Sequence, residues 1–565
     1  MPLTNYKPFW PETAILLGAG ATASLGLPSS EQMGKTIHRL AVIKDKKNLK
    51  ERINEAAYFY GIETELEYFL TALGDNLNYD GVSYTNEALE AAKKILPQDI
   101  QEEKVIERIL EWKAHYDWNA LRRLAVKVPV ENNNYSFYIM DLYNMIDGSL
   151  LSRQGVQDTA NETPVFLFPH RLQAARNLLV LLSNLMMACA YHKTRTENSQ
   201  KFSLYLDFFK ILSCFMQREA IDLKELNYYL RNFYLMSYSI ISFNFEPVFL
   251  WFMIIMFTKL NETPPYIGKR NLPVRLFRDL AVVAATKDSD IQDEAYYSVN
   301  ETVAKHINGI KESGRIFRIC KFYYVHGSAN IRECENCGKM LMLWGKWVEI
   351  PKDLFTLPPF KTNLFGVRAP HTIEEDEAYS EGRYDAVQCS FCGNMTYAYN
   401  NTMVMQSAYK GGHTSFLEEI QRDAKVSLSG AKHIILLGYS LPPDDVIWRS
   451  AIVAKQKNNA VYCSVVVGYM GEDRWLEGEE LLRYVSNIKN NIEKEEWASW
   501  GINAIDAATA IFGKNNVRAY TGGIPQVWCS DGSSADKSKI EDLLYPIKVF
   551  PDGIAGMRLR DVVQA

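Results

Sequence analysis

Five short runs of mainly apolar residues stop abruptly at glycine or a small polar residue. They are ETAILLGAG from Glu12, MSYSIISFN at Met236–Asn244, RICKFYYVHG ending at Gly327, HIILLGYSL at His433–Leu441 and AVYCSVVVGY at Ala460–Tyr469. Runs this short and this apolar suit strands buried on both faces. Helical patterns lie between them: an apolar helix after Pro247, where proline suits a first turn, then Ser415–Val426 and Asp444–Lys455. Strands separated by helices predict an α/β fold with a doubly wound parallel sheet.

With 565 residues the chain exceeds what one small core usually supports, so two or three modules are expected. Apolar spacing near 3.6 at Thr64–Leu73, Pro97–Val126, Pro169–Tyr191 and Phe202–Leu235 predicts a helical insertion over 45–235, with a polar loop at Gly155–Pro164. The stretch from Met470 to Ala565 carries no recognisable motif.

Lys plus Arg number 62 against 67 Asp plus Glu, and no basic stripe appears, which argues against direct nucleic-acid binding. The longest apolar run noted, Pro247–Phe257, is about half of the roughly 20 residues a membrane span needs. The start of the chain lacks the basic and apolar regions of a signal peptide, so a cytoplasmic protein is expected.

Of nine cysteines, four form two Cys-x-x-Cys pairs, Cys334/Cys337 and Cys389/Cys392, each followed by glycine and separated by 51 residues. Four thiolates in paired knuckles suit tetrahedral zinc in a closed, structural site. The other five, Cys189, Cys214, Cys320, Cys463 and Cys529, are expected to be packed thiols.

Several strand ends carry residues suited to chemistry. Gly18 and Gly20 allow a tight turn whose amides, with small Ala19 and Thr22 beside them, could face a phosphate; many such turns bind nothing. Asn244 and Glu246 end the second strand, where they either meet a ligand or merely terminate the strand and favour the next helix. His326 has the titration range of a general base, although a lone histidine is more often a packing residue. Gly438 and Ser440 close another strand, which loop closure also explains.

Taken in order, Gly-loop, Ser-x-Asn-x-Glu, His-Gly, paired Cys-x-x-Cys and Leu-Gly-x-Ser-Leu, the chain resembles the sirtuin family. GAGATASLGLP at Gly18–Pro28 is similar to that family's Gly-Ala-Gly-x-Ser-x-x-x-Gly-Ile-Pro loop, and SFNFE to its Thr-Gln-Asn-Ile-Asp. The resemblance implies that Asn244 and His326 are catalytic. It further implies that Gly18, Ala19, Gly20, Thr22, Glu246, Gly438 and Ser440 line bound NAD+, and that Cys334, Cys337, Cys389 and Cys392 hold structural zinc.

The implied fold is a Rossmann-like core over 10–44, 236–328 and 405–470, with the helical insertion at 45–235, a zinc module at 329–404 and a C-terminal extension at 471–565. Where deacylases continue with Asp-Phe-Arg, this chain has Ser29-Ser30-Glu31, and the aromatic that shields the cleaved nicotinamide site is absent. Large inserts and LLGYSLPPDD make it look like the antiphage-defence branch, which hydrolyses NAD+ to nicotinamide and ADP-ribose. Members of that branch oligomerise or act with a HerA-like ATPase. A deacylase or ADP-ribosyltransferase, a non-catalytic NAD or ADP-ribose sensor and a structural zinc scaffold are the alternatives.

Overall fold

The computed structural model describes residues 12–42, 47–74, 84–128, 138–158, 165–221, 238–253, 274–279, 316–342, 355, 357–362, 364, 372–389, 392–404, 415–443, 445–458, 461–491, 496–530 and 532–551. Its centre is an eight-stranded sheet: β1 (Thr13–Leu17), β2 (Tyr238–Ser242), β3 (Val274–Asp279), β4 (Ile316–Tyr324), β5 (His433–Leu437), β6 (Tyr462–Val466), β7 (Trp475–Glu477) and β8 (Val517–Tyr520). The spatial order is β7-β8-β6-β5-β1-β2-β4-β3. Every pairing is parallel except β7 with β8. The fold is therefore α/β on a mostly parallel sheet.

All five residues of β1, β2, β5 and β6 are buried, as continuous apolar runs require of strands covered on both faces. The chain winds outward from β1 towards β2 on one side, then resumes at β5 on the other. That reversal puts the carboxyl ends of β1 and β5 at the place where open α/β sheets leave a crevice.

The segment 471–565, read from sequence as an extension, supplies β7 and β8 to this same sheet. A polar chain, buried from His433 to Arg518, secures it. The Arg518 guanidinium donates to Ser464 Oγ (2.8 Å) and to Asp542 Oδ2 (2.9 Å), and lies over the Trp475 ring. Ser464 Oγ sits 2.8 Å from His433 Nε2, whose Nδ1 is 3.1 Å from the Leu544 carbonyl. Burial, then the Arg518 charge, push the His433 pKa down to about 3, so the ring is neutral and donates to that carbonyl from Nδ1.

Among the described residues of 45–235 the helices are Lys47–Glu55, Glu63–Leu73, Asn86–Ile95, Glu102–His115, Trp118–Ala125, Ile139–Leu151, Pro169–Glu197 and Ser199–Ile221. The single helix expected over Pro97–Val126 is broken, because Asp117 caps a new one: its Oδ1 accepts from the Ala120 amide at 2.8 Å and its Oδ2 from Arg171 at 2.6 Å. The loop expected at Gly155–Pro164 is entered by Val156–Asp158, which pairs antiparallel with Val165–Leu167; 159–164 lie outside the described residues. So do 222–235 of the helix expected at Phe202–Leu235 and 254–257 of the run after Pro247.

Pro169–Glu197 is long and apolar enough to cross a membrane by length and composition. The most apolar window of this helix is 94% buried inside the molecule, as in a core helix. One apolar core joins it to the sheet.

Candidate active site

Ser29 caps the helix Ser30–Ala41 that follows the glycine loop. Its hydroxyl accepts from the Gln32 amide, the Gln32 side chain accepts from the Ser29 amide, and Glu31 pairs with Lys35. The Ser-Ser-Glu sequence is thus a helix start in its own right. A 3-10 turn at Ala23–Leu25 and the residues Gly26–Ser29 separate that helix from the loop.

The loop itself is fastened to the end of β5. The Gly18 amide donates to the Leu437 carbonyl (3.1 Å) and the Gly20 amide to the Gly438 carbonyl (3.0 Å), while Ala21 and Thr22 amides donate back to Gly18 and Ala19. Of the amides expected to face a phosphate, those of Gly18 and Gly20 are thus engaged by the end of β5 and that of Thr22 by the loop itself. Ala19, Gly20 and Ala23 form its exposed rim. From the helical insertion, the Tyr205 hydroxyl donates to the Ala21 carbonyl (2.7 Å) and lies 2.5 Å from Ser24 Oγ.

Asn244 follows β2 and is buried beneath this loop. Its amide nitrogen donates to the Gly18 carbonyl (3.0 Å) and to Glu246 Oε1 (2.8 Å). Both neighbours are acceptors, so the amide orientation is fixed and both Nδ2 hydrogens are committed. The end left for chemistry is Oδ1, an acceptor suited to a water or sugar hydroxyl.

Thr22 Oγ1 donates to the same Glu246 oxygen at 2.7 Å. The longer glutamate side chain thus reaches back to the glycine loop. Burial raises the Glu246 pKa to about 7, against the opposing hydrogen bonds from Thr22, its own backbone and Asn244. Both side-chain donors meet Oε1, so a proton on Oε2 disturbs neither.

A carboxyl whose pKa is raised on folding stabilises the fold most below its unfolded value, and that contribution is lost as pH rises through the folded value. Wild-type stability should therefore decline between about pH 4.5 and pH 7 by on the order of 3 kcal/mol from this group. Glu246→Gln should flatten that slope in melts recorded across the window; parallel slopes for the two proteins would refute it.

His326 ends the segment after β4 and is buried. Phe243 and Phe245, on either side of Asn244, both pack on its ring, with centroids 5.4 and 6.4 Å away. The Val404 amide holds the His326 carbonyl at 2.8 Å. Beyond the ring lies Asp445, 2% exposed, with Oδ1 3.5 Å from His326 Nε2 and Oδ2 accepting from the Tyr439 hydroxyl at 2.6 Å. Asp445 was not singled out from sequence; the signal was an acid soon after a strand end, in LPPDD. Ser440 follows Gly438 at the same strand end, half-buried.

The four cysteines form a separate centre. Their sulfurs all lie within 4.8 Å of one another, with Cys334 and Cys392 3.5 Å apart and Cys337 and Cys389 3.6 Å apart. Sulfurs about 3.8 Å apart are what four Zn–S bonds of roughly 2.3 Å in a tetrahedron demand. Each pair sits in the same turn: Gly338 and Gly393, both with positive φ, donate to the Cys334 and Cys389 carbonyls at 2.8 Å. The donor set fits a metal such as zinc. Cys189, Cys463 and Cys529 are buried thiols; the side chains of Cys214 and Cys320 lie outside the described residues.

Glycine loop, Asn244, Glu246 and His326 therefore meet at the carboxyl ends of β1, β2, β4 and β5, with Asp445 behind the histidine, while the cysteines stand apart. No protein-family model matches the chain, and no curated protein does.

Proposed function

We propose that the chain is an NAD+ hydrolase of the sirtuin-like type, built on a Rossmann-like core, releasing nicotinamide and ADP-ribose. The observation that carries this reading is the buried set Gly18, Thr22, Asn244 and Glu246, joined by hydrogen bonds, with His326 packed against both neighbours of Asn244.

Cleavage of the nicotinamide–ribose bond builds positive charge on the sugar. Asn244 Oδ1 would accept from the attacking water or a ribose hydroxyl and so fix its position. His326 would take up the proton that this hydroxyl or water gives up, a role worth roughly 100- to 10,000-fold in rate. The exposed rim at Ala19 and Gly20, free of bulky side chains, lets the dinucleotide approach the backbone closely, with Gly438 and Ser440 on the neighbouring strand end. Zinc would brace the Cys334, Cys337, Cys389 and Cys392 module and take no part in the chemistry, since four thiolates leave no open position.

In a cell such an activity depletes NAD+. An antiphage role, in the cytoplasm and restrained by oligomerisation or a partner such as a HerA-like ATPase, belongs to the same proposal.

The test follows nicotinamide and ADP-ribose in wild type, Asn244→Ala and His326→Ala incubated with NAD+. Cleavage by wild type, lost by at least about 100-fold in both variants, is the expected result. Release that requires an acyl-lysine peptide would indicate a deacylase instead. Binding of NAD+ without any cleavage would indicate a sensor.

A further inference from the structure

We propose that Asp445 is the positioning residue for His326, holding its Nε2 side protonated so that Nδ1 is the basic atom. This deepens the hydrolase reading and rests on it for its catalytic consequence. Four observations converge. Asp445 is almost fully buried, where a carboxylate needs a partner. One of its oxygens accepts from the Tyr439 hydroxyl at 2.6 Å, and the other, Oδ1, lies 3.5 Å from the ring nitrogen.

Phe243 lies between the two aromatic partners, stacked on Tyr439 at 4.1 Å and 11° and edge-on to His326 at 5.4 Å. Acid and ring are therefore registered against each other through one wall.

The turn that delivers the acid is strained. Leu441 is buried with φ +52, although it is branched and precedes Pro442, a position that favours extended backbone. Such a conformation costs roughly 1–3 kcal/mol and persists where its surroundings impose it. The chain then turns back, Asp445 N donating to the Pro442 carbonyl at 3.1 Å, and the helix Val446–Asn458 begins.

A carboxylate this near favours the Nε2–H form of the neutral ring and stabilises the imidazolium formed when Nδ1 accepts a proton. Other ionisable groups on the surrounding elements are Tyr439, Glu246, Tyr324, Arg449 on the helix after Asp445, and Lys425, whose ammonium lies 5.7 Å from the centre of the Trp448 ring that packs on Phe243.

The experiment compares wild type, Asp445→Asn and Tyr439→Phe in kcat and kcat/KM for NAD+ from acid to alkaline pH, with melting temperatures alongside. A second readout is the His326 titration by NMR on histidine-labelled protein. Asp445→Asn should lower kcat by roughly tenfold or more with KM little changed. It should also move the acid limb, and the His326 titration, down by roughly one unit. Tyr439→Phe should lower kcat less, with the fold intact, and carries the test if Asp445→Asn does not fold.

An unaltered pH limb and titration in Asp445→Asn, or unaltered turnover in a folded Tyr439→Phe, would overturn the proposal. If wild type cleaves no NAD+ but the Asp445→Asn titration still falls, the pairing stands and the hydrolase reading is what fails.

Discussion

Replacing Gly438 by alanine should leave little folded protein. Its φ of +61 lies in the left-handed region, which costs an alanine about 1–2 kcal/mol. The added Cβ would sit 2.1 Å from the Ala21 nitrogen and 2.3 Å from the Gly20 carbonyl carbon, both backbone atoms of the loop above it. Backbone cannot swing aside as a side-chain tip can, so overpacking adds about 1–3 kcal/mol or more. Together these remove a large share of the roughly 5–15 kcal/mol that holds a typical domain.

The Gly18–Thr22 loop would also part from β5, because the Gly20 amide bonds the Gly438 carbonyl at 3.0 Å. A melting curve and limited proteolysis measure the effect. Gly468→Ala, whose Cβ would meet nothing within 4 Å, is the control and should melt like wild type. A Gly438→Ala protein that also did so would contradict the close approach.

Cysteine substitution should be nearly as damaging, and in a way that reaches the candidate site. Purified wild type should carry about one zinc per chain by atomic emission, as one four-thiolate site requires. Cys389→Ser should lose the metal and melt well below wild type, since structural zinc contributes apparent binding energies on the order of 10 kcal/mol to small modules. The route to His326 is short. Arg332, buried between the first knuckle and the site, donates to the Asp385 and Thr396 carbonyls that lie on either side of the second knuckle. The segment leaving the module then supplies Val404, whose amide holds the His326 carbonyl. The NAD+ cleavage proposed above should therefore fall with zinc content during chelation. Metal-free protein with the melting temperature of wild type would show that the cysteines are not a folding element.

What could be read from sequence follows from which physical signals are local. Runs such as IILL in β5 announce buried strands because every position is apolar. Strand β8 hides itself, since VRAY carries an arginine at its centre; Arg518 is tolerated there only because Ser464 and Asp542 meet it, and those lie 54 and 24 residues away. Asn244 and His326 are legible as polar residues at strand ends. Asp445 is not legible in this way, because its approach to His326 depends on the left-handed turn at Leu441, which the residues around it do not favour. That the Gly18 and Gly20 amides bond the end of β5 was hidden for a similar reason: glycine marks close approach, but not whether the approaching group is a ligand or the chain's own β5.

The place of β1 in the sheet constrains how this protein is made. One flank of its five residues pairs with β2 and the other with β5, whose first residue is His433. Thr13 Oγ1 finally donates to the Leu544 carbonyl, 531 positions later. Until β5 and the segment around Leu544 have been made, the nascent strand has an open side and no floor. The sheet can close only after those later segments emerge, and contacts of such long range make closure slow. Until then the apolar β1 run is available to chaperones, or to wrong partners, in a way that the finished molecule conceals.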